Sequence, residues 1–304
     1  MSSPGIGPAP RVVEGSPRTF PLMLKAALPL LPGANLVAGL IPGVGRHGGD
    51  LPDLALTRHD VPVDPAHVAA YAALCGFPRQ DTLPVSYPHL LAFPLHLAIM
   101  TEASFPFPAI GTVHLENSIT AHRPIAIGER LQVTARPANL RAHAKGTAFD
   151  LLTTIHSGGE PVWEETSTFL RRGKGDDSRP AEEGGLALPA APRGTTEWRL
   201  PGDLGRRYAA VSGDHNPIHL YALTAKAFGF PRQIAHGMWS LARCLSAIEN
   251  RLPRAVRVDA AFKTPVLLPG RVSFGLTATD DGLTFGLTNP DDGAPHVVGS
   301  AVSA

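Results

Sequence analysis

The chain has 304 residues, 43% hydrophobic and 17% charged, with a net charge of +1. That length suits about two domains of ordinary size, and nothing in the charge balance points to nucleic acid or an anionic membrane as the main partner. Cys75 and Cys244 both sit among apolar neighbours and read as buried thiols of a reducing, cytoplasmic compartment.

No basic region precedes the first apolar stretch, so it does not read as a secretory signal. The stretch from Phe20 to Val44 is apolar but contains Pro21, Pro29, Pro32 and Pro42, which excludes an uninterrupted membrane helix. Residues 1–60 are therefore expected to form an irregular arm. Within it, Gly43-Val44-Gly45-Arg46-His47-Gly48 fits the G-x-G-x-x-G pattern of dinucleotide sites. Pro42 before it and Gly49-Asp50-Leu51-Pro52 after it deny it the strand and the helix that such a site requires.

The next unit, residues 61–172, opens on Tyr71-Ala72-Ala73-Leu74-Cys75-Gly76. A long helix is predicted from near Phe93-Pro94-Leu95, with His89 and His96 as satisfied core histidines. Strands are predicted over Leu131 to Arg136, Thr147 to His156 and Val162 to Leu170. Residues 173–195 are rich in Gly, Pro and Ala with mixed charge and no periodic apolar face, and read as a mobile linker.

The last unit, residues 196–304, repeats the first. Tyr208-Ala209-Ala210-Val211-Ser212-Gly213 echoes the segment at Tyr71, and Thr264-Pro265-Val266-Leu267-Leu268-Pro269 echoes Arg123-Pro124-Ile125-Ala126-Ile127-Gly128, at similar spacings. Strands are predicted over Val256 to Phe262, Val272 to Thr279, Thr284 to Thr288 and Val297 to Val302. One long helix against a bent antiparallel sheet fits each unit, an α+β arrangement present twice.

Only the second copy carries Ser212-Gly213-Asp214-His215-Asn216-Pro217-Ile218-His219. Asn216 followed by Pro217 predicts a helix start, with Asp214 in the loop before it and His219 in its first turn. A carboxylate and an imidazole can then face one small volume. Taken singly, Asp214 reads as a cap and His219 as a half-buried histidine. His215 and His219 have the spacing of metal ligands, but Pro217 leaves His215 outside the helix, and no metal is expected. Ala235-His236-Gly237-Met238 then leads into an apolar helix. Its first N–H groups, with glycine allowing close approach, suit an oxygen that gains negative charge; the plainer reading of Gly237 is a packing glycine. Counting from the matched tyrosines puts Phe77 opposite Asp214 and Thr82 opposite His219, so the first copy lacks both groups.

In order and spacing, the run from Tyr208 through Asp214, Asn216 and His219 to Ile234-Ala235-His236-Gly237-Met238 resembles the MaoC-like (R)-specific enoyl-CoA hydratases and dehydratases. The resemblance implies a double hot-dog fold, with Asp214 and His219 as catalytic pair and the Gly237 N–H as oxyanion donor; Asn216 then reads as orienting the pair and capping the helix, or as a cap alone. The resemblance also implies hydration of trans-2-enoyl thioesters to (R)-3-hydroxyacyl thioesters on CoA, or on an acyl-carrier protein as in fatty acid synthesis, without a cofactor. That family often has a serine further along the long helix; here Ser246 falls one position off, with Leu245 in its place.

On this reading His236, Met238, Arg232 and Lys263 are substrate-binding candidates, with Arg206, Arg207 and Arg257 as further cations; the plainer reading of each of these five cations is a solvated surface charge. Tyr87, Leu90, Leu91, Phe93, Leu95, Leu97 and Ile99 could line an acyl tunnel or form ordinary core. The assembly expected is a monomer with an internal pseudo-dimer, or a homodimer. A thioesterase is disfavoured because residues 237–248 hold no carboxylate; a noncatalytic acyl-binding protein is disfavoured by the intact Asp214 and His219.

Overall fold

A computed structural model of the chain describes residues 9–19, 21–23, 49–173, 175 and 185–304. The first unit carries strands β1 (Arg11–Val12), β2 (Leu56–Val61), β3 (Thr112–Ala121), β4 (Leu131–His143), β5 (Gly146–Ser157) and β6 (Glu160–Arg172). The second carries β7 (Thr196–Leu200), β8 (Val256–Phe262), β9 (Gly270–Thr279), β10 (Gly282–Thr288) and β11 (Pro295–Ser303).

All of these strands join one sheet, in the order β1-β2-β4-β5-β6-β3-β8-β11-β10-β9-β7. Read inward from each edge with β1 set aside, the two halves have the same order, β2-β4-β5-β6-β3 and β7-β9-β10-β11-β8. They meet at the antiparallel β3–β8 pair, where Ser118 stands opposite Asp259 and donates to its carboxylate at 2.5 Å. The duplication seen in the sequence is thus a duplication of topology, and the fold is a double hot dog of the α+β class, an internal pseudo-dimer.

The first half supplies helices α1 (Pro65–Cys75) and α2 (Pro88–Met100). The second supplies α3 (Leu204–Ser212), α4 (Ala222–Ala227) and α5 (Gly237–Ile248). Helix α2 packs on β2, β4 and β5, and α5 on β10. Because the sheet wraps α2, nearly every face of it is buried, and its sequence is apolar all round rather than striped. Leu95, Leu97 and Ile99 are essentially inaccessible, and residues from both halves form one continuous core. Each such side chain contributes about 1.5–3 kcal/mol by leaving water. Cys75 and Cys244 are buried free thiols. Among the described residues no helix is long and apolar enough to cross a membrane.

Three details differ from the expectations. Strands β2, β3 and β7 were not anticipated, and β2 falls largely within the segment read as the arm, paired with β4 and, in parallel, with β1. Helix α2 starts at Pro88 rather than near Phe93, so Pro94 lies inside it; Pro88, which has no N–H to offer, holds the first helical position that Gly237 holds in α5. The third concerns the count from Tyr71. Leu83 N–H bonds Ile125 O as Ala235 N–H bonds Val266 O, and isolated bridges pair Thr82 with Ala126 and Ile234 with Leu267. Thr82 is therefore the counterpart of Ile234, not of His219. Twelve residues separate Tyr71 from Leu83 but twenty-seven separate Tyr208 from Ala235, so the first copy lacks the whole loop that carries His219. The G-x-G-x-x-G segment at 43–48 and linker residues 174 and 176–184 lie outside the described residues.

Candidate active site

Helix α3 ends on Gly213, whose φ of 76° and N–H bond to Ala209 O stop the helix and turn the chain toward the interior. Asp214 comes next. Its Oδ1 accepts the Asn216 N–H at 3.0 Å, which fixes the carboxylate over the following turn. Asn216 caps that turn at the edge of hydrogen-bond range, accepting from Ile218 N–H at 3.5 Å. The predicted helix is only a single 3-10 turn, Pro217–His219, before the chain breaks and restarts as α4.

Two elements hold this turn. Ile234 N–H donates to Ile218 O, and the Thr224 hydroxyl to Pro217 O. On the other side, Gly205 of α3 lies against the His219 carbonyl, where a Cβ would collide with the carbonyl oxygen. Gly205→Ala should therefore displace the turn or tilt α3. The expected result is a loss of about 1–3 kcal/mol of stability from overpacking. Activity should fall by at least about tenfold from the misplaced imidazole. Thermal melts beside steady-state rates would check both.

His219 is buried, and its Nδ1 donates to Ile234 O at 2.9 Å. This leaves Nε2 as the ring atom available for chemistry. His236 stacks on it, ring centroids 3.7 Å apart, and donates from Nε2 to the Asp214 backbone O at 3.0 Å. Burial pushes the His236 imidazole down to about 3, with His219 adding to the shift and Asp214 opposing it. Burial likewise lowers His219 below its ordinary value, against Asp214 and the Ile234 carbonyl. For Asp214, burial acts upward, but His236, His219 and the Asn216 N–H outweigh it and hold the carboxyl below its ordinary value. At neutral pH the site thus carries an ionised carboxylate beside neutral imidazoles.

Asp214, Asn216, His219, His236, Gly237 and Met238 all line one cavity of about 210 Å³. Gly237 begins α5, so its N–H is free of helical bonding, and a Cβ there would touch the Phe262 ring at 3.2 Å. An ionised acid, a neutral imidazole and the positive end of a helix therefore meet across one small volume. Such a set can hold a water, move protons and stabilise a developing oxyanion.

Of the predicted cations, Lys263 lines the cavity, joined by Lys145 and Arg172, which the sequence reading missed. Arg232 is exposed and not among the lining residues. Arg206 bonds Leu220 O and Arg257 pairs with Asp259, both away from the cavity. His215 turns back to its neighbour Gly213 O rather than toward His219. Asp214, His219 and His236 do bring one ligand atom each within 4.8 Å of one another, as do His89, His96 and Glu165. Of the predicted tunnel residues, Phe93 and Leu97 line the cavity, Tyr87, Leu90, Leu95 and Ile99 belong to the core, and Leu91 is half-buried against it. Ser246 faces away and bonds Cys75 O, whereas Ser240 lines the cavity. Tyr208 also lines it, packed on His236 with ring centroids 4.9 Å apart; its place in the repeated Tyr-Ala-Ala segment was the available signal.

Comparisons with known proteins agree with this fold. Residues 190–289 match the family described as MaoC like domain. The chain is 40% identical over 260 residues to 3-hydroxyacyl-thioester dehydratase X of Mycobacterium tuberculosis, an alignment covering 86% of this chain and 92% of that protein. The crystal structure of HtdX of the same organism superposes with a TM-score of 0.73 at 38% identity, over 82% of this chain and 100% of that one. A MaoC-like dehydratase of Phytophthora capsici, 21% identical, has the same fold with a TM-score of 0.61 over 82% of this chain and 95% of that one. With the shared fold, the matched domain and this identity over most of its length, the chain belongs to the MaoC-like dehydratase family.

Proposed function

We propose that the protein catalyses the reversible addition of water to trans-2-enoyl thioesters, giving (R)-3-hydroxyacyl thioesters, with CoA as the carrier. The observation that supports this most is the meeting of Asp214, the Nε2 side of His219 and the Gly237 N–H on one cavity.

The thioester oxygen lies at the start of α5, where unpaired N–H groups and the helix dipole favour negative charge. Water held between Asp214 and His219 attacks C3, electrons shift toward the thioester oxygen, and the enolate-like state is stabilised at Gly237. The pair takes a proton from the water and returns one to C2; dehydration runs the same steps backwards. His236 and Asn216 act as positioning residues, His236 through the Asp214 backbone and Asn216 through its N–H on the carboxylate. Adding water changes no oxidation state, so the chemistry calls for no redox group. The alternation of one furnished and one emptied copy leaves the first half to supply cavity wall through Phe93, Leu97 and Met100. Lys145, Arg172 and Lys263 give the cavity cationic groups that suit the phosphates of a CoA or carrier-protein arm.

The test is loss of the enoyl absorbance on incubation with enoyl-CoA substrates of several chain lengths, beside the same acyl groups on a carrier protein. Turnover of the CoA series supports the proposal, turnover on the carrier protein alone replaces CoA as the carrier, and inactivity on both overturns it.

A further inference from the structure

Helix α2 presents one stripe to the cavity. His89, Phe93, Leu97 and Met100 recur at spacings of four, four and three, and all four line it. Three are apolar, as an acyl chain requires, and one is an imidazole.

His89 is backed by a buried polar cluster. Its Nδ1 lies 2.8 and 3.0 Å from the two carboxylate oxygens of Glu165 on β6, and Glu165 also accepts from Asn117 Nδ2 of β3 at 2.7 Å. The Glu165 side chain has no exposure. Burial acts to raise its pKa, but His89, His96 and Asn117 outweigh that and hold the carboxyl at about 2. A fixed anion therefore keeps a proton on Nδ1, and Nε2 is the nitrogen left for a ligand. Beside it stands His114 of β3, 6.2 Å from His89, between Phe169 at 4.6 Å and Phe262 at 5.0 Å. His114 lines the same cavity, and its buried Nε2 has no partner among the described residues. Phe262 is also the ring that lies against Gly237, so His114 stands one aromatic ring beyond the start of α5, with His89 next to it.

Such a cluster is costly as mere packing. Burying a carboxylate costs several kcal/mol, and apolar residues of similar volume often serve a core as well or better. An unpaired buried nitrogen adds to that cost. We infer that His89, anchored by Glu165 and flanked by His114, is a polar subsite in the acyl cavity that recognises a hydroxyl on the acyl chain beyond the reacting carbons. Hydroxylated acyl thioesters are then the preferred substrate class. A hydroxyl both donates and accepts, so it pairs with Nε2 whether or not that atom carries a proton; a keto group matches only the protonated ring. The inference rests on the acyl-thioester reading of the cavity.

The experiment is calorimetric binding of saturated acyl-CoA ligands, a plain chain against chains of equal length with one hydroxyl at successive positions beyond C3. Saturated chains are not hydrated, so binding is read independently of turnover. One hydroxylated ligand should bind at least about tenfold tighter than its parent, the worth of one hydrogen bond to a buried group. His89→Phe and Glu165→Gln should bring that ratio close to one, with His89→Leu as a second variant should the phenylalanine prevent folding. A plain chain that binds as tightly as every hydroxylated one overturns the subsite, as does a preference that survives loss of the His89 imidazole. Hydration of enoyl-CoA by the wild type, measured separately, tells this failure from failure of the hydratase reading: turnover without hydroxyl preference sinks only the subsite, and hydroxyl preference without turnover sinks only the reaction.

Discussion

Asp214→Asn and His219→Gln should each lower kcat/KM for enoyl-CoA hydration by at least about a hundredfold, the usual scale for removing one member of an acid-base pair. The substitutions separate chemistry from structure. In Asp214→Asn an amide oxygen can still accept the Asn216 N–H, so the turn that follows keeps its anchor. His219→Asn is a useful third variant, since its amide can still donate to Ile234 O as Nδ1 does while nothing stands in the place of Nε2. All three proteins should fold, and all should be slow. The pH profile adds a sign. Burial lowers the His219 pKa below 6.5, so the acid limb of kcat/KM should fall below that value, where the imidazole becomes protonated. Full activity in Asp214→Asn and His219→Gln would remove both residues from the mechanism. A double variant no slower than either single one would fit a pair that acts as a unit.

Stability should fall as the pH drops below about 6.5, the ordinary histidine value. His96, His114 and His236 are each held down to about 3 by burial, so the folded protein refuses protons that the unfolded chain accepts. Above 6.5 these groups are neutral in both states and contribute no slope. Between 6.5 and 3 each can cost up to about 1.4 kcal/mol per pH unit, which makes this the steepest expected dependence in the protein. Glu129 and Glu165, both held at about 2, act in the same direction only below about 4.5, where the unfolded carboxylates begin to protonate. Chemical denaturation at pH 8, 7, 6 and 5 checks this: midpoints should agree at the upper two values and fall at the lower two. His96→Met should flatten the slope by up to about 1.4 kcal/mol per pH unit, because one refused proton is gone. A midpoint that stays constant from pH 7 to 5 would mean that these imidazoles titrate normally.

How much of this was legible beforehand depends on how locally each feature is made. The Asp214–His219 loop holds itself by bonds between neighbours, Asn216 N–H to Asp214 and Ile218 N–H to Asn216, so its sequence announced it. The same holds for Gly237, whose place at a helix start was expected from the residues around it. Strands with alternating apolar residues, such as β9 and β11, were also visible. Strand β3 was not. It lies at the centre of the sheet yet places Thr112 and Asn117 in buried positions, so the alternation that marks a strand is missing.

The sequence by itself determined that the chain is a duplicated α+β fold and that one copy alone carries the Asp214 and His219 loop. Only the tertiary structure decided what surrounds that loop. The count from Tyr71 misaligned Thr82, because a missing loop is invisible until Leu83 and Ala235 are seen in equivalent bonds. His89 and Glu165 are 76 residues apart and Asn117 and Glu165 are 48 apart, and no local pattern links them. A buried charge is tolerated only where distant partners converge on it, and that convergence comes from sheet register and helix packing, which side-chain spacing along one chain does not encode.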